Sequence, residues 1–400
     1  MASDGLTPAS DQGVTGQQPK PTDPARRIDA IDALRGIALF GVLAINLVMG
    51  FRVSIFEQFL SAKSAASPVD RVVETILILG IDMKAFALFS MLFGAGLAIQ
   101  FERLSASPRR ARLLIRRLAV LLAIGLLHLC LIWYGDILTE YALAGLIVLP
   151  FLWGPRWLLA CGALSFLALY LLMQAYPPAG LFPATATIAS AVAEENRVYA
   201  TGGFADALAL RLRELPLILP LHVYIFPRTI GLFLLGAYVW RTGLLRTPRQ
   251  GLMFSIAAVG IVLGATLTIL SHVRGLLFSD ASGTILLALG YAAAIIGIAN
   301  LKSGKMLLGW AAPLGRMAFT SYLAQSLIFG WIFYGYGLGL FGRLGAASAL
   351  AIGIAVYVGQ VLFSAWWLRR YRYGPVEWLW RTLMYGVRQP MLHSPIEAVR

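Results

Sequence analysis

The sequence predicts an all-α, polytopic integral-membrane protein, a helical bundle with about ten transmembrane helices. Of its 400 residues, 59% are hydrophobic and 13% are charged, whereas an ordinary soluble domain carries about 25% charged residues. The mean hydropathy of +0.76 arises from apolar runs of roughly twenty residues, the length that a helix needs to cross a bilayer. Strands of a membrane barrel would instead alternate with period two over about ten residues.

The apolar runs place ten spans along the chain, and basic residues give their orientation. Lys and Arg accumulate in the cytoplasmic loops of membrane proteins. Placing the N-terminus inside puts most of the 33 Lys and Arg residues on the cytoplasmic side, so we predict that both termini are cytosolic. The predicted spans cover residues 33–51, 80–101, 113–134, 137–153, 157–175, 221–240, 251–271, 283–300, 317–337 and 346–368.

The segments outside the spans differ in composition. Residues 1–25 are polar and rich in Pro, Gly and Ser, which predicts a disordered cytosolic tail without a cleavable signal peptide. Residues 26–386 form the transmembrane domain, and residues 387–400 form a second cytosolic tail. Within the domain, residues 176–220 are expected to be an extracytoplasmic loop. Residues 374–386 carry several aromatic residues and an i,i+4 pair, Glu377 and Arg381, which suits an interfacial helix.

Composition also excludes several partners. The net charge of +14 is explained by the cytoplasmic loops, so we expect a lipid bilayer as partner and no nucleic acid. Cys130 and Cys161 both lie within apolar runs, as buried small side chains do. No His or Cys spacing indicates a metal site, and we expect no bound cofactor.

A polar stripe follows the first predicted span. A charged side chain at the centre of a span costs about 2.5–3.5 kcal/mol, so each one needs a partner or a function. Asp32 and Arg35 share a face at the cytoplasmic start of this span, where an ion pair with snorkelling side chains is an equally good explanation. Asn46 lies on nearly the same face, about 16 Å further along. Alone, Asn46 also fits an interhelical hydrogen bond.

Other spans carry isolated polar side chains with two explanations each. Lys84 and the neighbouring Asp82 lie at the outer end of the second span, where both can snorkel. Gln325 fits an interhelical hydrogen bond or a pocket wall. His222 and His272 lie near predicted outer loops, so we expect water to solvate them.

The stretch GLLHLCLIWYGDILTEYALAG, residues 125–145, is the strongest candidate for chemistry. His128 lies within the outer leaflet, where it must hydrogen-bond; a histidine there either acts as a general base or joins two helices. Asp136 and Glu140 also suit the first turn of the next helix. In an unbroken helix Asp136 lies about 12 Å from His128. A direct pair therefore requires the chain to bend back at residues 133–135.

Assembled, these stretches resemble the YeiB-like family, known for its domain of unknown function 418, over roughly residues 27–386. The motifs that carry the resemblance are DALRG at 32–36 with Asn46, KAFALFSMLFGAG at 84–96, residues 128–141, PLGRMAFTSYLAQS at 313–326 and YGPVEWLWRTLMYG at 373–386. The family is similar to transmembrane acyltransferases that share an Asp-x-x-Arg-Gly motif and use a membrane histidine. That similarity implies acyl transfer, often from cytosolic acyl-CoA, to a hydroxyl or amine across the membrane.

The leading hypothesis is therefore an integral-membrane acyltransferase with acyl-CoA as donor and a lipid, glycan or small molecule as acceptor. His128 is expected to act as base and Asp136 to orient it. The residues expected to bind substrate are Asp32, Arg35, Asn46, Lys84, Glu140, Tyr141 and Gln325. Two alternatives remain, a transporter that uses the buried charges and a scaffold whose polar residues only fix helix packing. In every case we expect the plasma membrane of a bacterium.

Overall fold

The computed structural model describes residues 29–60 and 67–393. The predicted disordered tail, residues 1–25, lies outside the described residues, as do residues 394–400 of the predicted C-terminal tail. The described residues form helices and no β-strand, which confirms the all-α class. The helices are α1 Asp29–Asn46, α2 Pro68–Gly80, α3 Lys84–Arg103, α4 Arg110–Leu131, α5 Leu138–Val148, α6 Arg156–Ala175, α7 Thr185–Thr201, α8 Phe204–Arg241, α9 Gln250–Arg274, α10 Leu277–Ala299, α11 Lys302–Leu308, α12 Ala311–Arg316, α13 Ala318–Phe333, α14 Ala346–Arg370 and α15 Pro375–Tyr385.

Eight helical segments of the described chain are long and apolar enough to cross a membrane, so the chain is a polytopic membrane protein. They coincide with eight of the ten predicted spans. The other two predicted spans correspond to shorter apolar helices, Leu138–Trp153 and Ala318–Phe333. The second has 16 residues, about 24 Å at 1.5 Å per residue, which is less than the roughly 30 Å of a hydrocarbon core.

The spans divide into central and peripheral helices. In the 18-residue apolar stretch of the segment that begins with α1, 78% is buried inside the protein, whereas in that of α6 only 22% is buried. The outward face of α6 exposes large apolar residues such as Leu164 and Leu172. Such a surface is stable in lipid and not in water, which agrees with a bundle whose outer helices face a bilayer.

Two close contacts between helix backbones hold the centre together. A Cβ on Gly94 of α3 would collide with the backbone of Phe233 in α8, and one on Gly236 of α8 would collide with the backbone of Met91. The glycine of the DALRG motif, Gly36, meets the α12 backbone in the same way. Membrane helices approach closely where small residues face each other, because dispersion contacts drive their association.

The segment predicted as a long loop, residues 176–220, is largely helical. It contains α7 and the first part of α8, a 38-residue helix interrupted by three prolines. At about 57 Å, α8 is longer than the hydrocarbon core, so it extends beyond it. The α7 helix packs onto the bundle through buried Glu195, whose carboxylate accepts a hydrogen bond of 2.7 Å from Tyr134. Burial raises the pKa of Glu195 above its ordinary value, because removal from water disfavours the carboxylate.

The predicted interfacial helix is present as α15, but its acidic residue has a different partner. We expected Glu377 to face Arg381 along the helix. Instead, its carboxylate accepts hydrogen bonds from the backbone nitrogens of Phe319 (2.8 Å) and Thr320 (3.1 Å) at the start of α13. These nitrogens have no partner within their own helix and point toward negative charge. Glu377 thus fixes α15 against α13.

Candidate functional site

Two cavities occupy opposite halves of the bundle. The first, of about 310 Å³, lies at the end that we predict to be cytoplasmic and is called the inner cavity. Its lining contains more arginines than carboxylates, so it favours anionic ligands such as phosphates. Its charged lining residues are Asp32, Arg35, Arg103, Arg117, Arg316, Arg372, Glu377 and Arg381.

The second cavity, called the outer cavity, is larger, at about 1110 Å³, and lies toward the opposite face. Both acids and bases line it, and aromatic side chains such as Trp133 and Tyr170 complete the wall. A mixed lining of this kind binds a polar molecule through many directed hydrogen bonds. Its deeper polar lining residues include Asn46, Asp82, Ser90, Glu140, His222, Arg228, Thr229 and Asp280.

The two cavities meet at α5. Ile137 and Tyr141 line both of them. The Tyr141 hydroxyl donates to the backbone oxygen of Phe86 at 3.0 Å and lies 3.0 Å from the Ser90 hydroxyl. The ring of Phe233 packs edge-on against Tyr141, with 5.1 Å between centroids. A single layer of side chains therefore separates the two cavities.

A histidine–carboxylate pair lies on the outer side of this layer. His222 Nδ1 is 3.3 Å from Glu140 Oε2, and the Thr229 hydroxyl donates to the other Glu140 oxygen. The Glu140 side chain is 5% exposed and that of His222 is 25% exposed. A carboxylate bonded to one ring nitrogen fixes the orientation of an imidazole and stabilises its protonated form. The pair is thus equipped to accept a proton from a molecule in the outer cavity.

His128 and Asp136 form a second pair, but they lie behind the cavity walls. The α4 helix ends at Leu131 and the chain bends back, which brings His128 Nδ1 to 2.9 Å from Asp136 Oδ1. The other Asp136 oxygen accepts from Thr139 at 2.7 Å and so caps α5. His128 is 1% exposed, its Nε2 has no hydrogen-bond partner among the described residues, and its ring packs on Tyr322. Neither member of this pair lines the inner or the outer cavity.

The polar stripe of α1 connects the two cavities. Asp32 and Arg35 form an ion pair of 2.9 Å and line the inner cavity. Asn46, at the other end of α1, lines the outer cavity. The predicted face of this helix therefore points at both spaces.

Two predicted binding residues lie outside both cavity linings. Lys84 is 2% exposed and donates to the backbone oxygen of Ile78 at 3.1 Å, so its side chain does not snorkel to water. Gln325 donates to Gln360 on α14 at 2.8 Å, which is the predicted interhelical bond.

The structure adds functional candidates that the sequence did not single out. We expected His222 to be solvated, but its ring is largely buried beside Glu140, whereas His272 is exposed as expected. Arg228 is 2% exposed and lines the outer cavity. For His222 the available signal was its spacing from Thr229, since seven residues place both side chains near one face of a membrane helix.

Comparison with known proteins gives the family. The sequence model described as "Protein of unknown function (DUF418)" matches residues 239–387. YxaH of Bacillus subtilis is 32% identical over 394 residues, covering 93% of this chain and 98% of the relative. The chain belongs to the YeiB-like DUF418 family. YeiB of Escherichia coli is 30% identical, covering 90% of this chain and 97% of the relative. A 39.9 kDa protein encoded in the amylase 3' region of Bacillus acidopullulyticus is 28% identical, covering 92% of this chain and 96% of the relative.

Proposed function

We propose that this DUF418 protein is a membrane acyltransferase that moves an acyl group from a cytosolic acyl thioester to a hydroxyl or amine on the extracytoplasmic side. The observation that supports it is the pair of cavities separated by one layer of side chains at Tyr141. Such a transfer needs a donor site on one side, an acceptor site on the other, and contact between them at the reacting carbonyl.

The inner cavity suits the donor. Its arginines offer several N–H donors each to the phosphates of acyl-CoA, and guanidinium groups bind phosphate with two parallel hydrogen bonds. Arg35 is the inner residue of the α1 stripe, so a phosphate held there leaves the acyl end free to extend along α1 toward Tyr141.

The outer cavity suits the acceptor and the base. The acceptor O–H or N–H attacks the thioester carbonyl carbon, and the imidazole of His222 takes its proton. The new ester or amide bond forms as the C–S bond breaks, and the thiolate leaves with a proton returned to it. Glu140 orients His222 and stabilises its cation, while the side-chain amide of Asn46 stabilises the oxyanion.

The catalytic role that we predicted for His128 stays a prediction, but the cavity geometry favours His222. His128 lies behind Tyr322, a wall residue of the inner cavity, and does not itself line either cavity. Its pairing with Asp136 instead fixes the turn that carries Glu140 and Tyr141 into position.

The test uses purified protein in vesicles, with acetyl-CoA as donor. The vesicles contain lipids and glycans extracted from a strain in which the gene for this protein is deleted. We expect release of free thiol together with a mass increase of about 42 daltons on an acceptor, which corresponds to the addition of one acetyl group. His222→Gln should lower the rate at least about 100-fold, as expected for loss of a general base. His272→Gln is the matched control, because that histidine is exposed.

Three outcomes would argue against the proposal. Thiol release that depends on His128 and not on His222 would move the base to the other pair. Uptake of solute into the vesicles without thiol release would favour a transporter. Variants of both histidines that only lower the melting temperature would favour a scaffold.

We also propose that the protein resides in the plasma membrane of a bacterium. The membrane-spanning helices support a membrane location, and relatives that match along nearly the whole chain occur in Bacillus subtilis and Escherichia coli. Fractionation of inner and outer membranes in a Gram-negative host tests this.

A further inference from the structure

Four ionisable side chains gather at one end of the outer cavity. Asp82 and Lys84 lie at the start of α3, Arg228 on α8 and Asp280 at the start of α10. Asp82, Arg228 and Asp280 line the cavity, whereas Lys84, two residues after Asp82, does not. The charges of Lys84, Asp280 and Arg228 all act on the Asp82 carboxylate. The cluster has two positive and two negative groups, so its formal charge is zero.

The two basic side chains, Lys84 and Arg228, are buried, Asp82 and Asp280 are half-buried, and the bases and acids form no direct ion pair with each other within the described residues. Within residues 67–393, no nitrogen of Arg228 or Lys84 lies within the 4.0 Å of an Asp82 or Asp280 oxygen that defines an ion pair. Arg228 is 2% exposed, and its Nε and Nη1 have no hydrogen-bond partner among the residues that the structure describes. Buried charges in proteins are normally paired, since an unpaired charge removed from water is strongly destabilising. An arginine that lines a cavity with two free donors therefore indicates a ligand.

The arrangement selects the chemistry of that ligand. A simple anion would satisfy Arg228 but would face the carboxylates of Asp82 and Asp280. A simple cation would satisfy the carboxylates and leave Arg228 unpaired. A molecule that carries both charges satisfies all the groups and keeps the cluster neutral.

We propose that this end of the outer cavity binds a zwitterionic group, with an oxyanion on Arg228 and an ammonium between Asp82 and Asp280. The site lies beside the reactive pair, because Thr229, the residue after Arg228, donates to Glu140. Naming the ligand as the acyl acceptor rests on the proposed function, whereas the binding itself does not. Two sources share this chemistry, a small molecule of amino-acid type and the head group of an ethanolamine lipid.

Calorimetric titration of the full-length protein in detergent, without acyl donor, tests the proposal. The zwitterionic probes are glycine and glycerophosphoethanolamine; acetate and ethanolamine are the singly charged probes. We expect at least one zwitterion to bind at least tenfold more tightly than either singly charged probe. Arg228→Gln and Asp280→Asn should each weaken that binding at least tenfold, and Arg274→Gln, a change at an exposed outer arginine, should not.

Several results would overturn the inference. These are equal affinity for acetate and the zwitterions, absence of binding by every probe, or full binding in the Asp280→Asn variant. If Arg228→Gln fails to fold, Arg228→Lys replaces it in the test, because lysine keeps the positive charge and lacks the planar guanidinium. Unchanged zwitterion affinity in Arg228→Lys would also count against the proposal.

Nanodiscs distinguish the two sources. Phosphatidylethanolamine nanodiscs should weaken glycerophosphoethanolamine binding relative to phosphatidylglycerol nanodiscs if the site takes a lipid head group. Equal affinity in both would assign the site to a soluble zwitterion. Zwitterion binding without thiol release would contradict the proposed function and support this binding site. Acyl transfer to a neutral acceptor without zwitterion binding would support the proposed function and contradict this binding site.

Discussion

The glycines of the FGAG sequence in α3 permit a prediction with an internal control. Gly94 and Gly96 are two residues apart, yet a Cβ added to Gly94 would lie 2.5 Å from the Cα of Phe233 in α8 and nearer still to its carbonyl oxygen. A Cβ on Gly96 would meet nothing within 4 Å. Gly94→Ala should therefore destabilise the protein, and Gly96→Ala should not.

The size of the difference follows from the contact. Carbon atoms pack at about 3.5–4.0 Å, so α3 and α8 must separate by about 1 Å to admit the methyl group. Overpacking of this kind typically costs about 1–3 kcal/mol. Both alanines gain the same helix propensity, about 1 kcal/mol over glycine, and this gain cancels in the comparison. Gly94→Ala should thus be about 1–3 kcal/mol less stable than Gly96→Ala.

Thermal unfolding of the two purified variants in the same detergent measures this difference. We expect the Gly94→Ala midpoint to lie about 2–6 °C below that of Gly96→Ala. Because α8 carries His222, a shift of about 1 Å should also lower thiol release, by as much as about 100-fold. Equal midpoints, or a lower midpoint for Gly96→Ala, would refute the assignment of Gly94 to the contact between α3 and α8.

Three further predictions concern the parts of the chain outside the spans. Because burial raises the pKa of Glu195 above 4.5, its contribution to stability is complete below pH 4.5 and is lost as pH rises through the raised pKa. The fall of the denaturation midpoint with rising pH should therefore be smaller in Glu195→Gln than in the unsubstituted protein. Glu377→Ala removes hydrogen bonds to the start of α13 and should cost about 1.5–3 kcal/mol in the free energy of unfolding, whereas Glu194→Ala, which removes a surface ion pair with Arg197, should cost less. In a cysteine-free background, an impermeant maleimide should label His272→Cys in intact cells and Lys302→Cys only after lysis, and the opposite pattern would invert the predicted orientation.

Much of the fold was predictable because membrane spans are read from continuous apolar runs. All ten predicted positions are helical, although only eight helices have full spanning length. The helices missed were those outside the apolar runs, α2, α7, α11 and α12. The α7 segment carries charges and follows two prolines, so its sequence indicates a loop. Its helical structure depends on tertiary contacts such as the hydrogen bond from Tyr134 to Glu195, which no local pattern reveals.

The site was only partly predictable because its contacts join distant parts of the chain. In a straight helix the spacing of His128 and Asp136 would keep their side chains apart. Only the bend of the chain after α4 brings them together. His222 and Glu140 are 82 residues apart, so their pairing leaves no trace in residue spacing. Asn46 and Arg35 were predictable, because both lie on one helix and helical periodicity alone aligns them.

The layer at Tyr141 has an electrical consequence. Where water enters from both faces, a membrane's voltage falls mostly across the thin insulating remainder. Here that remainder is the side-chain layer at Ile137 and Tyr141, which lines both cavities. A resting potential of 100 mV exerts about 2.3 kcal/mol on each elementary charge that crosses such a layer. Any proton or anionic group exchanged between the two cavities would therefore move in a concentrated electric field, and the rate of that exchange would depend on the membrane potential.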